Sequence, residues 1–552
     1  MILKNQNKFL SYNFENIIVL FFFIVLTVVG YILHTDYGIS LDEESTRLHG
    51  FVTLNYICEF FFPNQKFAFQ SNNIIPKLNE YAFKEYGIFF EIFLALVIEV
   101  ILEIKNFSEI FYARHLTNHF LFIASVICFY FLSNTIFKKK IYSFFGATIL
   151  YTSPRIFGDS FYNDKDLVFL SFFIFLIYFS IKFLKKPDYY NAFLLSLFSA
   201  IATNIRVIGI YVFILVAFFL FIQILMKNKF DIKKIYSLTI LVFFNFIFLY
   251  ILWPFLWEAP LDNILYALKS FSKYSWGGNI FYLGDFYKAE FLPWHYFFTF
   301  FLATTPILLS IIIILGMYQI IFRFIKRFIR IEKNNSNNDL WRGEKEKILL
   351  FILFTAALPI LSIYFFNSVI YNGWRHLYFL FPCLILIGIY FMETVTSVYC
   401  RKKLLLISVI ILGTICINNL YNLIKLHPYQ YVYFNFIFEK NANDLFEIDY
   451  WGVSNKDALE KVVKNNPNAN KIIVGVASFT NLYLSKKMLD SNTKSKIFIS
   501  GQNYENANYI FNNNLYEINP KFDDKYSIPK NFEKYSSLKR GNILINEFYK
   551  KK

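Results

Sequence analysis

The sequence predicts a polytopic α-helical membrane protein carrying a small α/β domain at its C-terminal end. Three observations lead there. Hydrophobic residues make up 56% of the 552 and charged residues 17%, with a mean hydropathy of +0.42, far from the balance of a soluble domain. Many stretches reach the roughly 20 apolar residues that cross a ~30 Å hydrocarbon core at about 1.5 Å per residue. Only beyond residue 421 does the chain turn polar and alternate short strand-like and helix-like runs.

The net charge of +16 does not imply nucleic acid, because Lys and Arg collect at the ends of apolar stretches instead of on a groove-like surface. The partners expected are membrane lipids, with no nucleic acid. Cys58, Cys128, Cys383, Cys400 and Cys416 are scattered without a CxxC pair, which supports neither a disulfide framework nor a zinc site. The first apolar segment has no small-residue cleavage site after it and reads as an anchor.

Charge then orders the spans. Residues 15 to 34 follow Lys4 and Lys8 and precede an acidic loop, so the N-terminus is cytoplasmic. Tyr86 to Ile104 is apolar but contains Glu91, Glu99 and Glu103; as a span it would reverse every later basic loop, so it is expected at the interface. Residues 117 to 136 return to Lys138-Lys139-Lys140, a helix from about 141 goes out, and 167 to 184 comes back to Lys185-Lys186. Tyr189 to Met226 is nearly twice the length of one span and is interrupted by Asn204 and Arg206. An Arg at mid-span costs about 2.5 to 3.5 kcal/mol, so two helices are expected, with Arg206 at the outer turn and a basic inner loop from Lys227 to Lys234. Helix 235 to 253 opens a long outer loop with aromatic, Pro-containing ends at Trp253 to Trp257 and Leu292 to Tyr296. Helix 296 to 317 descends to Arg323, Lys326, Arg327, Arg330 and the polar linker Asn334 to Asn338. Spans 348 to 366, 377 to 393 and 404 to 420, the last two joined through Arg401-Lys402-Lys403, bring the total to about eleven.

The expected organisation is therefore a membrane domain over 1–420, with outer loops 35–116, 153–166, 253–293 and 367–376, and an extracytoplasmic domain over 421–552. In the latter, strands are expected at Lys471 to Val476, Lys496 to Ser500, Ala507 to Phe511 and Asn542 to Ile545, with helices at 455 to 465 and 479 to 489. This is the topology of a multi-pass protein of the plasma (inner) membrane.

Two acidic runs fall on the outer side. Leu41-Asp42-Glu43-Glu44-Ser45 follows the first span, and Asn163-Asp164-Lys165-Asp166 opens a later one. Either alone is ordinary for a helix end, but two on one side suit general base catalysis, one carboxylate taking a proton while another group orients the acceptor. Asp42, Glu43, Asp164 and Asp166 are the candidate catalytic residues. The same face carries Arg155, Lys165, Arg206, Arg375 and His376. Guanidinium groups bind phosphate in a bidentate fork, which makes Lys165, Arg206, Arg375 and His376 candidates for a donor phosphate. No nucleotide-binding signature is present; Gly277-Gly278 and Gly284 lack a Walker context and read as loop glycines. No cofactor is required by these residues, and the acidic runs are compatible with a divalent metal.

These motifs together resemble the GT-C superfamily of integral membrane glycosyltransferases, within it the protein O-mannosyltransferase and aminoarabinose-transferase-like group of glycosyltransferase family 39. The resemblance lies in Asp42-Glu43, the aromatic interfacial segment from Tyr86, an Ala-Arg-His helix start at Ala113 to His115, Lys165-Asp166-Leu167, the Arg206 turn, Trp374 to His376, and Asp449-Tyr450-Trp451-Gly452. It departs at Glu44-Ser45-Thr46, where many relatives have a nearby Tyr, and at Lys84-Glu85-Tyr86, where many have His-Pro-Pro. The resemblance implies hexosyl or pentosyl transfer from a polyprenyl-phosphate sugar, with inversion, to a lipid, glycan or protein acceptor of the cell envelope. It implies Asp42, beside Glu43, as base or acceptor-orienting residue, Asp166 with Asp164 as the second-loop carboxylate, and Arg206 and Arg375 on the donor phosphate. The alternatives are a lipid-linked glycan transporter or flippase, disfavoured by charges gathered in loops and by the lack of an internal repeat, and a cell-envelope polymerase or ligase.

Overall fold

The computed structural model describes residues 2–67, 69, 75–225, 231–272, 276–329, 343–399 and 402–552. Lys227, Arg330, Asn334 to Asn338 and Arg401, used above to orient the spans, lie outside the described residues. Among those described, nine helices are long and apolar enough to cross a membrane, the first spanning Glu15–Leu33.

In chain order the bundle consists of α1 (Ile2–Leu33), α2 (Glu43–Phe61), α3 (Phe89–Leu94), α4 (Phe107–Ile136), α5 (Lys140–Thr152), α6 (Pro154–Tyr162), α7 (Asp166–Lys185), α8 (Tyr189–Ile205), α9 (Ile210–Leu225) and α10 (Ile232–Leu252), followed by α11 (Pro260–Ser272), α12 (Tyr296–Ala303), α13 (Ile307–Ile329), α14 (Glu344–Phe366), α15 (Phe381–Tyr399) and α16 (Lys402–Leu426). The count of nine replaces the expected eleven because two traverses are short. At about 1.5 Å per residue, the 13-residue α5 and the 17-residue α8 fall short of the ~30 Å core. Pro154, lacking an N–H, ends α5 and opens α6 at its first turn. Even so, α5 and α6 run from one end of the bundle to the other: Tyr142 bonds Thr396 (2.8 Å), whereas Asn118 reaches the Phe161 carbonyl (3.0 Å) near the opposite end of α4.

The burial of each span shows its place. The span Arg375–Ser397 has 89% of its apolar window buried and Asp166–Lys185 has 78%, against 17% for Glu15–Leu33 and 22% for Ile232–Leu252. The first two form the centre, and the last two present their apolar faces to lipid. Helices α13 and α15 approach closely because Gly316 faces the Ile387 carbonyl, where a Cβ would collide.

Other expectations shift at boundaries. Residues 43 to 61, expected within a loop, form α2. The interfacial segment is α3 followed by a π-helical turn at Ala95–Ile101. Helix α4 begins at Phe107, so Ala113 to His115 lies inside it and not at its start. The expected helix 296 to 317 is broken at Thr304-Thr305-Pro306 into α12 and α13, again where Pro cannot donate.

Between α11 and α12 stands a hairpin of β1 (Asn279–Tyr282) and β2 (Asp285–Lys288). Its two-residue turn places Leu283 at φ 51° and Gly284 at φ 88°, the left-handed pair such turns require. The C-terminal domain contains α17 (Asn455–Lys464), β3 (Ile472–Val476), α18 (Leu482–Lys487), α19 (Ser491–Lys496), β4 (Ile497–Gly501), β5 (Tyr509–Asn512), β6 (Phe532–Arg540) and β7 (Ile543–Lys551). The strand order is β4-β3-β5-β7-β6; β3 is parallel to β4 and β5, and β7 is antiparallel to β5 and β6. The unanticipated β6, Phe-Glu-Lys-Tyr-Ser-Ser-Leu-Lys-Arg, is a polar edge strand.

This domain packs on the bundle end that the charge pattern places outside. Asp449 ties its entry together: fully buried, it accepts from Tyr431, from Ser454 Oγ at 2.6 Å and from Asn513 Nδ2 at 3.3 Å. Burial pushes its carboxyl up to about 6. Replacing Asp449 by Ala takes the acceptor from the buried Tyr431 and Ser454 hydroxyls, while Asn513 keeps the residue-449 carbonyl at 3.0 Å, and we expect a loss of about 3 kcal/mol, measurable as lowered thermal stability of the purified chain; an unchanged transition would contradict this role.

Candidate active site

The three carboxylates of the first outer run part company, and their separation defines the site. Asp42 sits at the N-cap of α2 without spending its side chain on capping. It lies 3.4 Å from Arg375 Nη1 and retains 40% side-chain exposure. Glu43 is fully buried, accepting from the Ser40 N–H at 2.6 Å and pairing with His115 Nε2 at 2.9 Å. Glu44 turns outward to Lys487 of the C-terminal domain at 2.5 Å.

The second acidic run meets the first. Asp166, buried at the start of α7, pairs with Arg206 and lies 3.3 Å from Arg375 Nη1. Asn163 fixes it twice, donating from Nδ2 to Oδ2 at 3.2 Å and accepting the Asp166 N–H at 2.8 Å. Arg375 is thus shared between carboxylates that are more than a hundred residues apart in the chain. It is 5% exposed and sandwiched by Tyr371 (5.0 Å) and Trp451 (4.7 Å), which lowers the cost of withdrawing a guanidinium from water. Among the described residues neither Arg206 Nε nor Arg375 Nε has a hydrogen-bond partner.

Asp164 points the other way, accepting from Thr46 Oγ1 and lying 3.7 Å from Arg114, which itself pairs with Glu91. Burial pushes Asp164 well above the usual carboxylate range, with Glu91 adding to the rise and Arg114 opposing it. Burial likewise raises Glu91 against the pull of Arg114. Two carboxylates thus face one cation, and burial with carboxylate repulsion raises both.

Between the two groups lies a cavity of about 140 Å³ lined by Asp42, His49, Tyr86, Glu91, Asp164 and Lys165, among others. Asn204 holds its wall, accepting the Phe89 N–H at 2.8 Å and donating to the Leu252 carbonyl at 2.9 Å. Lys165 Nζ lies 3.5 Å from the centre of the Tyr86 ring. Desolvation, reinforced by Arg206, lowers its ammonium to about 8.

Of the candidates, Asp42, Asp166, Arg206 and Arg375 are in direct contact, and Asp164 and Lys165 line the adjoining cavity. Glu43 lies behind them, and His376 packs its ring on Tyr371 at 4.7 Å. Arg155 is committed elsewhere, donating to the Tyr433 carbonyl at 3.0 Å. Glu91 and Arg114 were not singled out as site residues, although acidic residues in an apolar segment and an Arg within an apolar helix are signals of buried pairing. His49 gave no such signal. Among the described residues no group of three or more His, Cys, Asp and Glu side chains is placed to hold a metal ion, and the central carboxylates face guanidinium groups, so a divalent metal finds no donor set here.

No protein-family profile matches the chain, and no curated protein matches it in sequence. Among solved structures it is similar to ArnT from Cupriavidus metallidurans bound to undecaprenyl phosphate, at 8% identity and a TM-score of 0.47, over 96% of this chain and 97% of that one. It is also similar to the Archaeoglobus fulgidus oligosaccharyltransferase tethered to an acceptor peptide containing the NVT sequon via a disulfide bond, at 11% identity and a TM-score of 0.47, over 86% of this chain and 63% of that one.

Replacing Arg114 by Met strands Glu91 and Asp164 in the interior. We expect a loss of about 3 to 5 kcal/mol, read as reduced folded yield in detergent, with partial recovery when Glu91→Gln is added. Equal yields for the native chain and the single variant would refute the buried network as a stabilising element.

Proposed function

We propose that this chain is a membrane glycosyltransferase of the GT-C kind, acting at the outer face of the inner membrane and moving a sugar from a polyprenyl-phosphate donor to a lipid, glycan or protein acceptor. The observation that carries the reading is the convergence of both acidic runs on Arg375, with Arg206 paired to Asp166 and Lys165 in the wall of the adjoining cavity.

The roles follow from exposure and charge. Asp42 is the site carboxylate that solvent and an acceptor reach, so it accepts the proton from the acceptor hydroxyl or amine. The acceptor atom bonds to the anomeric carbon as the bond from that carbon to the phosphate oxygen breaks. The electron pair leaves with the polyprenyl phosphate, whose negative charge is met by Lys165 and by the guanidinium groups of Arg206 and Arg375. Asp166, enclosed and paired to both arginines, orients them. Asp164 and Glu43 brace the cavity and the loop that carries Asp42; His376 supports the Tyr371 face.

Transfer of radiolabelled sugar from a polyprenyl-phosphate donor pool is the direct measurement, in membranes carrying the native chain, Asp42→Asn or Asp166→Asn at matched expression. Asp42→Asn is expected to lower turnover by about 10²-fold or more, and Asp166→Asn to raise the donor KM as well. Unchanged transfer in both would remove the catalytic assignment and favour transport.

The ammonium of Lys165 supplies a pH limb. It is charged below about 8 and neutral above, so the donor KM is expected to rise as pH passes that value. Lys165→Arg, which stays protonated, should abolish the limb; a limb that persists in this variant assigns it to another group.

A further inference from the structure

Two residues facing the cavity are unaccounted for by the mechanism above. His49, on α2, is 4% exposed, and among the described residues its Nε2 has no hydrogen-bond partner. Glu91, on α3, is 5% exposed; one oxygen pairs with Arg114, and among the described residues Oε1 has none. Leaving a buried polar atom unpaired forfeits its hydration with no return, and here two such residues belong to the wall of one cavity. Around them stand the aromatic rings of Tyr81, Phe83, Tyr86 and Phe90. Aromatic walls with a few fixed polar groups are the composition of a site that orients a small ligand.

We propose that His49 and Glu91 form a hydroxyl-reading subsite that recognises the sugar ring of the donor and sets which hydroxyl configuration is accepted. This rests on the reading of the centre as a sugar-transfer site and adds to it the chemistry of selection. A hydroxyl is the group that fits both atoms. It donates to Glu91 Oε1, and it pairs with His49 Nε2 in either tautomer because it both donates and accepts. Burial lowers the His49 imidazole to about 3, so the ring is neutral throughout the physiological range and suits an uncharged partner. Arg114, against both Glu91 and Asp164, offsets negative charge facing the same space. At about 140 Å³ the cavity holds the share of liquid volume of four or five waters, at ~30 Å³ each, room on the scale of one sugar ring. A site built to hydrogen-bond a hydroxyl rejects a ligand lacking it, because its buried polar groups then remain unpaired.

The test is equilibrium binding of the purified full-length protein to four probes: a polyprenyl phosphate alone and the same lipid carrying glucose, mannose or galactose, the last two each differing from glucose in one hydroxyl configuration. The native chain is expected to bind one sugar lipid more tightly than its epimers and than the bare lipid. His49→Phe, which keeps the ring and removes the nitrogens, is expected to weaken that preferred ligand by about three- to tenfold, with bare lipid unaffected. His49→Gln, which returns a polar group, should recover part of the preference, and Glu91→Gln should alter it. Four outcomes separate cleanly. Equal binding of all four probes by the native chain overturns the subsite. A native preference that survives intact in His49→Phe does the same. Uniform weakening of every probe, bare lipid included, assigns His49 a packing role and also overturns it. Selective loss of the sugar preference upholds it, and if the native chain then transfers none of the three sugars, it is the transfer reading that falls.

Discussion

A buried guanidinium sets the terms for this end of the molecule. Arg375 is withdrawn from water at the head of the most enclosed span, and a charge in that position persists only where opposite charge and ring faces replace its hydration. The replacements come from four parts of the chain: Asp42 from the first outer loop, Asp166 from the second, Tyr371 from the loop just before it, and Trp451 from the C-terminal domain. Misplacing any one leaves part of the cation unpaired. The four segments are therefore held in one arrangement by a single electrostatic requirement, which is also what brings the two acidic runs together.

A second buried charge system lies on the far side of the cavity and differs in kind. Arg375 and Arg206 stand against Asp166 and the partly exposed Asp42, two cations with two anions. Arg114 stands against Glu91 and Asp164, and burial with carboxylate repulsion raises both carboxyls. The side with two guanidinium groups and the partly exposed Asp42 is suited to a phosphate; the side where one cation faces two raised carboxyls is suited to neutral polar groups. A ligand with a charged end and an uncharged polar end matches this gradient. The physical division between Asp42 and its neighbour Glu43 follows the same logic, since Glu43 exhausts its acceptors on Ser40 and His115 while Asp42 keeps its own available.

Much of this was legible in the sequence, for identifiable reasons. Apolar length and the placement of Lys and Arg located the spans, and the four parallel or core strands of the outer domain announced themselves as apolar runs. The juxtaposition of residues 42 and 166 was readable as a shared side, because topology alone decides it. Contacts were not. Nothing local indicates that Glu43 turns inward while Asp42 stays out, since helix geometry separates adjacent residues by about 100° only once α2 is known to begin there, and its mixed composition reads as loop. The short traverses at α5 and α8 were counted as full spans for different reasons: at α5 apolar character was read past the Pro154 break, and at α8 the Arg206 turn was placed but leaves only 17 residues before it. Polar β6 carries no alternation, its strand identity coming entirely from pairing with β7. His49 acquires meaning only when α3, whose start is set by Asn204, closes the wall opposite it.

The C-terminal domain belongs to the same argument. Trp451 does three things at once: its ring covers Arg375, its carbonyl accepts the Leu41 N–H at 3.1 Å beside the Asp42 run, and its indole donates to buried Asp159 at 3.3 Å. Lys487 adds a second tie through Glu44. The loop bearing Asp42 is thus clamped between α4, through Glu43 and His115, and the outer domain, through Trp451 and Lys487. A membrane bundle alone would leave Arg375 with one ring face open to water and the Leu41 N–H without its acceptor. The electrostatic centre is completed by a domain that begins after the last span, so geometry at residue 42 depends on folding of residues beyond 440, and the site exists only in the assembled chain.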